Sequence, residues 1–128
     1  MTRASWARLS RLAAGIVLLA GCGGPHAPAD SVAGADAVRT AFESWKNGDA
    51  PATLQRQRPA IYLNEPEWLA GNKLLHFEIV EPLEPYGRQL RCAVKLSLEN
   101  AKNGSKYEKR VGYQVETNPA FVIAREGL

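Results

Sequence analysis

Cysteine, histidine and recognisable catalytic motifs are scarce in this sequence of 128 residues. It contains two cysteines, Cys22 and Cys92, and two histidines, His26 and His76. A metal site needs three or four grouped ligands, and one histidine with scattered acids does not supply them. No glycine-rich phosphate loop follows a predicted strand, and no serine lies in a nucleophile elbow. We therefore expect no metal, no cofactor and no catalytic residue that a motif identifies.

The sequence also lacks an apolar run long enough to cross a membrane as a helix. Its most apolar stretch, residues 12–20, has nine apolar or small residues, whereas a membrane span needs about 20. Arg3, Arg8 and Arg11 precede this stretch and a small residue follows it, which is the pattern of a secretory signal peptide. Residues 1–21 are predicted to be such a signal and to be removed from the mature chain.

The signal ends in a short motif, Leu19-Ala20-Gly21-Cys22. This motif resembles the lipobox of bacterial lipoproteins, and the resemblance implies that Cys22 is diacylated on sulfur and becomes the new N-terminus. Two acyl chains hold a protein stably on a membrane, because each buried CH2 contributes about 0.8 kcal/mol. The expected partner is membrane lipid and the expected location is the cell envelope, on the outer membrane if the host has two. The alternative is an ordinary secretory signal with an incidental cysteine.

Residues 22–35 are predicted to form a flexible tether, because glycine, proline and small residues dominate them. Removing the signal takes away three of the 16 basic residues and none of the 13 acidic ones, so 13 of each remain. A mature chain without net charge gives no reason to expect a nucleic-acid partner. With Cys22 acylated, Cys92 has no disulfide partner, and the domain must be stabilised by packing.

Residues 36–128 have the length and patterning of one α+β domain. Apolar residues at helical spacing predict a helix from Asp36 to Asn47, with Asp36 as its N-cap. A short helix after Pro51, a brief strand at 60–63 and a capped helical turn at 64–69 are predicted next. The expected architecture is an N-terminal helix packed on a curved antiparallel sheet of about four strands.

Long strands are predicted in the second half of the chain, where apolar and polar residues alternate. Residues 73–81 are expected to place Leu75, Phe77 and Ile79 on one face, and residues 89–99 carry an apolar residue at every even position. Asn103-Gly104 predicts a two-residue hairpin turn, which would set Leu96 opposite Val111. A final strand is predicted at 120–124.

This order of elements resembles the NTF2-like (cystatin-like, cone-shaped) superfamily, and segments 37–48, 68–81 and 89–125 carry the likeness. Enzymes of that superfamily use a carboxylate or histidine base inside the cone, aided by a tyrosine, but no motif transfers those roles to residues of this chain. The candidate pocket residues are Trp45, Tyr62, Trp68, His76 and Tyr113. For each of them the alternative interpretation is structural, with the aromatic residues in the core and His76 exposed.

Two functions from different classes remain open. The first is a non-catalytic envelope lipoprotein that binds a partner protein or small ligand through the open end of the cone or through the exposed sheet face. That face carries Gln89, Arg91, Ala93, Lys95 and Gln114, and it is also where a homodimer contact is expected. The alternative is a small isomerase or dehydratase acting on an apolar compound, with His76 or an acid at the pocket rim. A filled cone favours the first function, and a deep pocket with His76 beside a buried carboxylate favours the second.

Overall fold

The computed structural model describes residues 29–127. The predicted signal peptide, Cys22 and residues 23–28 of the predicted tether lie outside the described residues. The described chain contains three helices and five strands, and the elements in chain order are α1 (Ser31–Lys46), α2 (Pro51–Arg56), β1 (Ile61–Asn64), α3 (Pro66–Leu69), β2 (Lys73–Tyr86), β3 (Gln89–Glu99), β4 (Lys106–Glu116) and β5 (Phe121–Arg125).

One sheet contains all five strands in the order β1-β5-β4-β3-β2. The expected α+β class is confirmed, but the expected antiparallel sheet of about four strands is wrong in two respects. The brief strand β1 joins the same sheet, which raises the number of strands to five. It also pairs parallel to β5, with Ile61 opposite Phe121, whereas the other pairs are antiparallel. Strands β2, β3 and β4 separate β1 from β5 in the sequence, so the local pattern did not indicate that β1 pairs with β5.

Helix α1 begins at Ser31, five residues before the predicted start at Asp36. Asp30 is the N-cap, because its Oδ1 accepts hydrogen bonds from the backbone N–H groups of Val32 and Ala33 at 3.0 Å each. Gly34 is tolerated inside the helix because α1 lies close to the sheet there. A Cβ at this position would lie 2.7 Å from Leu90 Cδ1. The last five residues of the predicted tether are therefore helical.

The core lies between α1 and the inner face of the sheet. Helix α1 contributes Ala37, Val38, Ala41, Phe42 and Trp45, each less than 5% exposed. Strands β3 and β4 cover these residues with alternate apolar side chains, which are Leu90, Cys92, Val94, Leu96, Leu98, Val111, Tyr113 and Val115. The expected apolar face of β3 is confirmed, because its even-numbered residues are all buried.

Strand β2 contains bulges that change which residues face the core. Leu74 pairs with Leu98 and His76 pairs with Ser97, so Leu75 has no partner across the ladder. Such a bulge shifts the alternation by one residue. Leu74 is therefore buried and Leu75 is 39% exposed, whereas the uninterrupted alternation predicted Leu75 on the inner face. Beyond the bulge, Phe77 and Ile79 return to the predicted face and pack against the core.

The β3–β4 hairpin has a longer loop than the predicted two-residue turn. Residues 100–105 form the loop, and the Gly104 N–H donates to the Asn100 carbonyl at 2.9 Å. The register is shifted by two residues, so that Leu96 lies opposite Lys109 and Val94 lies opposite Val111. A shift of two keeps every side chain on its predicted face. It also places Glu99 opposite Lys106, which avoids the unfavourable Glu99–Glu108 pair of the predicted register.

Candidate functional site

The interior between the helix and the sheet is filled by aromatic side chains. Phe42 packs edge-on against Tyr113 with ring centroids 5.3 Å apart, and Trp45 stacks on Trp68 at 5.9 Å. The two indole N–H groups donate to backbone carbonyls, Trp45 to Asn72 at 2.9 Å and Trp68 to Asp49 at 3.2 Å. Three of the five predicted pocket residues, Trp45, Trp68 and Tyr113, are thus brought together as packed core.

The other two predicted pocket residues lie at the surface. Tyr62 on β1 is 42% exposed. His76 is exposed on the outer face of β2, opposite Ser97. The sheet separates His76 from the buried side chains around Tyr113. Among the described residues, the structure therefore does not place the His76 imidazole beside a buried carboxylate, which is the arrangement that the isomerase alternative requires.

A buried carboxylate is nevertheless present, and it belongs to Glu65. Its side chain is 0% exposed. The Tyr113 hydroxyl donates to Oε1 at 2.5 Å, and the Arg125 guanidinium donates to both carboxylate oxygens, with Nη2 at 2.7 and 2.8 Å. The backbone N–H of Glu67 donates to Oε2 at 2.6 Å, so Glu65 is also the N-cap of α3.

Every polar atom of this buried group has a partner, which makes it a clamp and not a poised base. Burial, and then the hydrogen bond to Glu65, raise the pKa of Tyr113. Burial alone would lower the pKa of Arg125, but the hydrogen bond and the charge of Glu65 outweigh it and raise that pKa. A general base needs a free lone pair within reach of substrate. Glu65 instead ties the start of α3 to β4 and β5.

A second hydrogen-bonded carboxylate, that of Glu67, lies two residues further along the chain, at the rim of the core. The Glu67 carboxylate accepts hydrogen bonds from the Tyr107 hydroxyl at 2.5 Å, from Asn72 Nδ2 at 2.8 Å and from Lys109 Nζ at 2.9 Å. Partial burial alone would raise the pKa of Glu67, but these three donors together lower it to about 2. The hydrogen bond to Glu67 is the main cause that raises the pKa of Tyr107 to about 12. Lys109 and Tyr107 thereby fasten α3 to β4 a second time.

The depressed pKa of Glu67 predicts an acid-sensitive contribution to stability. Its pKa falls from 4.5 to about 2 on folding, so the ionised group favours the folded state above about pH 4.5 and this contribution is lost as the pH falls toward 2. In chemical denaturation measured from pH 6 to pH 2, the stability advantage of the wild type over Glu67→Gln is expected to shrink through this window. Tyr107→Phe removes the strongest of the three donors, so the folded-state pKa of Glu67 should rise toward 4.5, and the loss should be smaller and complete at a higher pH. Parallel pH profiles for the wild type and Glu67→Gln would contradict this assignment.

Sequence reasoning identified the capped turn at 64–69 but missed the roles of Glu65 and Arg125. Pro66 at the first helical position and Glu65 before it were a usable signal for a capped helix. Nothing local indicated that Glu65 would be buried, because its partners Tyr113 and Arg125 are 48 and 60 residues away in the chain.

The outer face of the sheet carries a trench of about 400 Å3. Beneath it lie Ala93 and Gly112, opposite each other on β3 and β4. Ala93 is 7% exposed, and the Glu126 carboxylate covers Gly112, where an added Cβ would lie 2.6 Å from Glu126 Oε1. Its walls are formed by residues of the bulged end of β2 between Glu81 and Tyr86, by Arg91, Arg110 and Glu126. The predicted interaction face, with Gln89, Arg91, Ala93, Lys95 and Gln114, therefore overlaps this trench.

Ion pairs hold the trench walls in place. Arg91 Nε donates to Glu126 Oε1 at 2.8 Å, and the Arg91 guanidinium lies 5.2 Å from the centroid of the Tyr86 ring. Arg110 pairs with Glu81 on the other side of the Ala93–Gly112 pair. The trench thus presents both signs of charge and an aromatic ring, which suits a polar partner surface better than an apolar small molecule.

Other chemistry has little support in the described part of the chain. Burial raises the pKa of the Cys92 thiol to about 11, so it carries little nucleophilic thiolate at neutral pH. Within residues 29–127, no three His, Cys, Asp or Glu side chains are grouped to hold a metal ion. None of the helices in that range has the length and apolar character needed to cross a bilayer.

Comparisons with known proteins add no relative: no family model, curated protein or solved structure matches this chain.

Proposed function

We propose that this chain is a lipid-anchored lipoprotein of the bacterial cell envelope, and that its domain is a non-catalytic module that binds a partner protein through the outer-face trench. The observation that carries the proposal is the contrast between the two faces of the sheet. The inner face is filled by Phe42, Trp45 and Tyr113, while the outer face has a trench that is lined by charged side chains and Tyr86 above the small residues Ala93 and Gly112.

The filled interior supports a binding role over catalysis. Small-molecule sites are concave cavities lined by apolar groups with a few convergent polar atoms. In this domain the aromatic side chains occupy that space, and the buried carboxylate of Glu65 is saturated by Tyr113 and Arg125. The trench is lined by paired charges and Tyr86, a composition typical of the polar part of a protein interface.

We further propose that the domain is a variant of the NTF2-like (cystatin-like) cone. A single long helix, α1, packs along the inner face of a bulged five-stranded sheet, and this arrangement supports the assignment. In such a variant the cone interior serves as core. The accessible surface for recognition is then the outer face, where either a different protein or a second copy of this chain would dock.

The anchor is tested by metabolic labelling of the full chain with an alkyne analogue of palmitate in a bacterial host. The wild type is expected to carry the label and to sediment with membranes, and Cys22→Ala is expected to lose both properties completely. Cys92→Ala is the matched control, since it removes the only other cysteine and should keep the label. Retention of label in Cys22→Ala, or an unmodified Cys22 in the mass spectrum of the mature N-terminus, would refute the anchor.

The trench is tested with a photo-crosslinking amino acid at Glu84, an exposed wall residue. Crosslinking in intact cells should yield a defined adduct whose mass distinguishes a second copy from another protein. Gly112→Phe, whose side chain would displace the Glu126 carboxylate and occupy the trench, should reduce the adduct at least tenfold. Ser97→Phe, on the same outer face beyond the trench, is the control and should leave the adduct unchanged. An adduct that survives Gly112→Phe in a folded protein would overturn the docking site.

A further inference from the structure

The chain enters the described domain at one end of the sheet. The backbone N–H of Asp30 donates to Thr117 Oγ1 at 3.4 Å, and Thr117 follows the last residue of β4. The adjacent Gly34 lies against Leu90, which is near the start of β3. We call this the entry end, formed by residues 30–32, 86–89 and 116–117. The β3–β4 loop, residues 100–105, lies at the opposite end of the same strands.

From this placement we infer that the acylated chain holds the domain with its entry end toward the lipid surface, so that the β3–β4 loop points away from the membrane. The inference rests on the proposed acylation of Cys22. It adds a second contact with lipid, made by the folded domain itself, and an orientation for the trench.

The length of the connecting chain carries the argument. Cys22 and Asp30 are eight residues apart in the sequence, which spans at most roughly 26–29 Å even when fully extended. Strand β3 has 11 residues and is therefore about 34 Å long from its first Cα to its last, at the 3.4 Å rise of an antiparallel strand. An inverted domain that rests on its β3–β4 loop with β3 along the membrane normal would raise Asp30 above the membrane by more than the connecting chain can reach.

The connecting chain is shorter than β3 only because α1 begins as early as Ser31. Had the helix begun at Asp36, fourteen residues would have separated Cys22 from the domain, and their reach of roughly 46–50 Å would have permitted the inverted arrangement. Because Asp30 caps the helix and Ser31 begins it, the connection is too short.

The surface of the entry end suits an interfacial contact. Val32 is 72% exposed and Tyr86 is 51% exposed, and Arg88 is exposed in the turn between β2 and β3. An apolar side chain, an aromatic ring and a cation exposed at the same end of the sheet are groups that lie well at the level of lipid headgroups. Leu69 and Leu75 are also exposed, but they lie toward the other end and would face away from the membrane.

The experiment measures how close each end of the domain lies to lipid. The acylated full chain is reconstituted on phosphatidylcholine vesicles that contain a headgroup spin-labelled lipid, and one fluorophore is attached at Arg88→Cys or at Asn103→Cys. Both positions are exposed turn residues at opposite ends of β3, which makes them a matched pair. Cys92 is buried, so it should not take the label.

We expect quenching of the probe at position 88 to be at least threefold stronger than at position 103, and Val32→Glu to weaken it. Equal quenching at both positions, or stronger quenching at 103, on protein that floats with the vesicles would overturn the orientation and leave the anchor standing. Protein that does not float would overturn the anchor and the orientation together.

Discussion

Replacing Arg125 by methionine is expected to lower the free energy of unfolding by about 3–5 kcal/mol, because it leaves the Glu65 carboxylate buried without its cation. Glu65 is 0% exposed and Arg125 is 17% exposed, so solvent cannot substitute for the lost donors. A domain of this size has a total stability of about 5–15 kcal/mol. The substitution should therefore bring the protein close to unfolding at room temperature, as measured by urea denaturation followed by tryptophan fluorescence.

The control for this prediction is Arg91→Met, which removes an exposed ion pair with Glu126. Surface pairs contribute about 0–1 kcal/mol, so this variant should stay near the wild type. The double variant Glu65→Gln/Arg125→Met removes both charges and should recover part of the loss. If Arg125→Met costs no more than Arg91→Met, the buried pair does not clamp α3 to the sheet.

Replacing Phe42 by alanine should cost about 3–5 kcal/mol, the usual range for truncating a buried aromatic side chain. Phe42 is 0% exposed and its ring contacts those of Trp45, Phe77 and Tyr113 at centroid distances of 5.3–6.1 Å. Its removal would leave a cavity in the middle of the interior, because these rings belong to three different elements and cannot all move inward. Thermal and urea denaturation measure the effect.

Val32→Ala on the same helix is the matched control for Phe42→Ala. Val32 is 72% exposed, and surface substitutions of this kind usually change stability by less than about 0.5 kcal/mol. A similar small cost for both variants would show that the interior is loosely packed. That result would favour an interior that holds a ligand, and with it the enzymatic alternative.

The two carboxylate clusters explain how a four-residue helix is held in place. Helix α3, Pro66–Leu69, is too short to be stable by itself. Glu65 fixes its start to β4 and β5, and Glu67 fixes its first turn to Tyr107 and Lys109 of β4. Trp68 is thereby held against Trp45, which closes the interior at that end. The hydrogen bonds of Glu65 and Glu67 therefore hold α3 where Trp68 packs on Trp45, and this packing fills the space that a pocket would need.

The local elements could be predicted where the pattern is continuous. The even-numbered residues of β3 are buried as the alternation required, and α2 occupies Pro51–Arg56 as the proline at its start indicated. The start of α1 was predicted too late because Gly34 and the small residues around it looked like tether. Their small size instead permits the close approach of the helix to Leu90, a contact between segments 56 residues apart.

The candidate site was predicted less well than the fold. Trp45, Trp68 and Tyr113 were predicted as residues of a pocket together with Tyr62 and His76, and only the tertiary packing shows that these three lie in the core. The trench depends on Ala93 lying opposite Gly112, and the predicted register paired Ala93 with a different residue. A register change of two residues leaves the pattern of faces intact, so alternation could not have revealed the error.

The amino-acid sequence by itself determined the α+β class, the faces of β3 and β4 and the expectation of a lipid anchor, because each depends on the spacing of side chains within one segment. The tertiary structure decided the parallel partner of β1, the bulge at Leu75 and the burial of Glu65. It also decided which face of the sheet is open. These features depend on contacts between segments that are far apart in the sequence, and such contacts form only when the whole chain is packed.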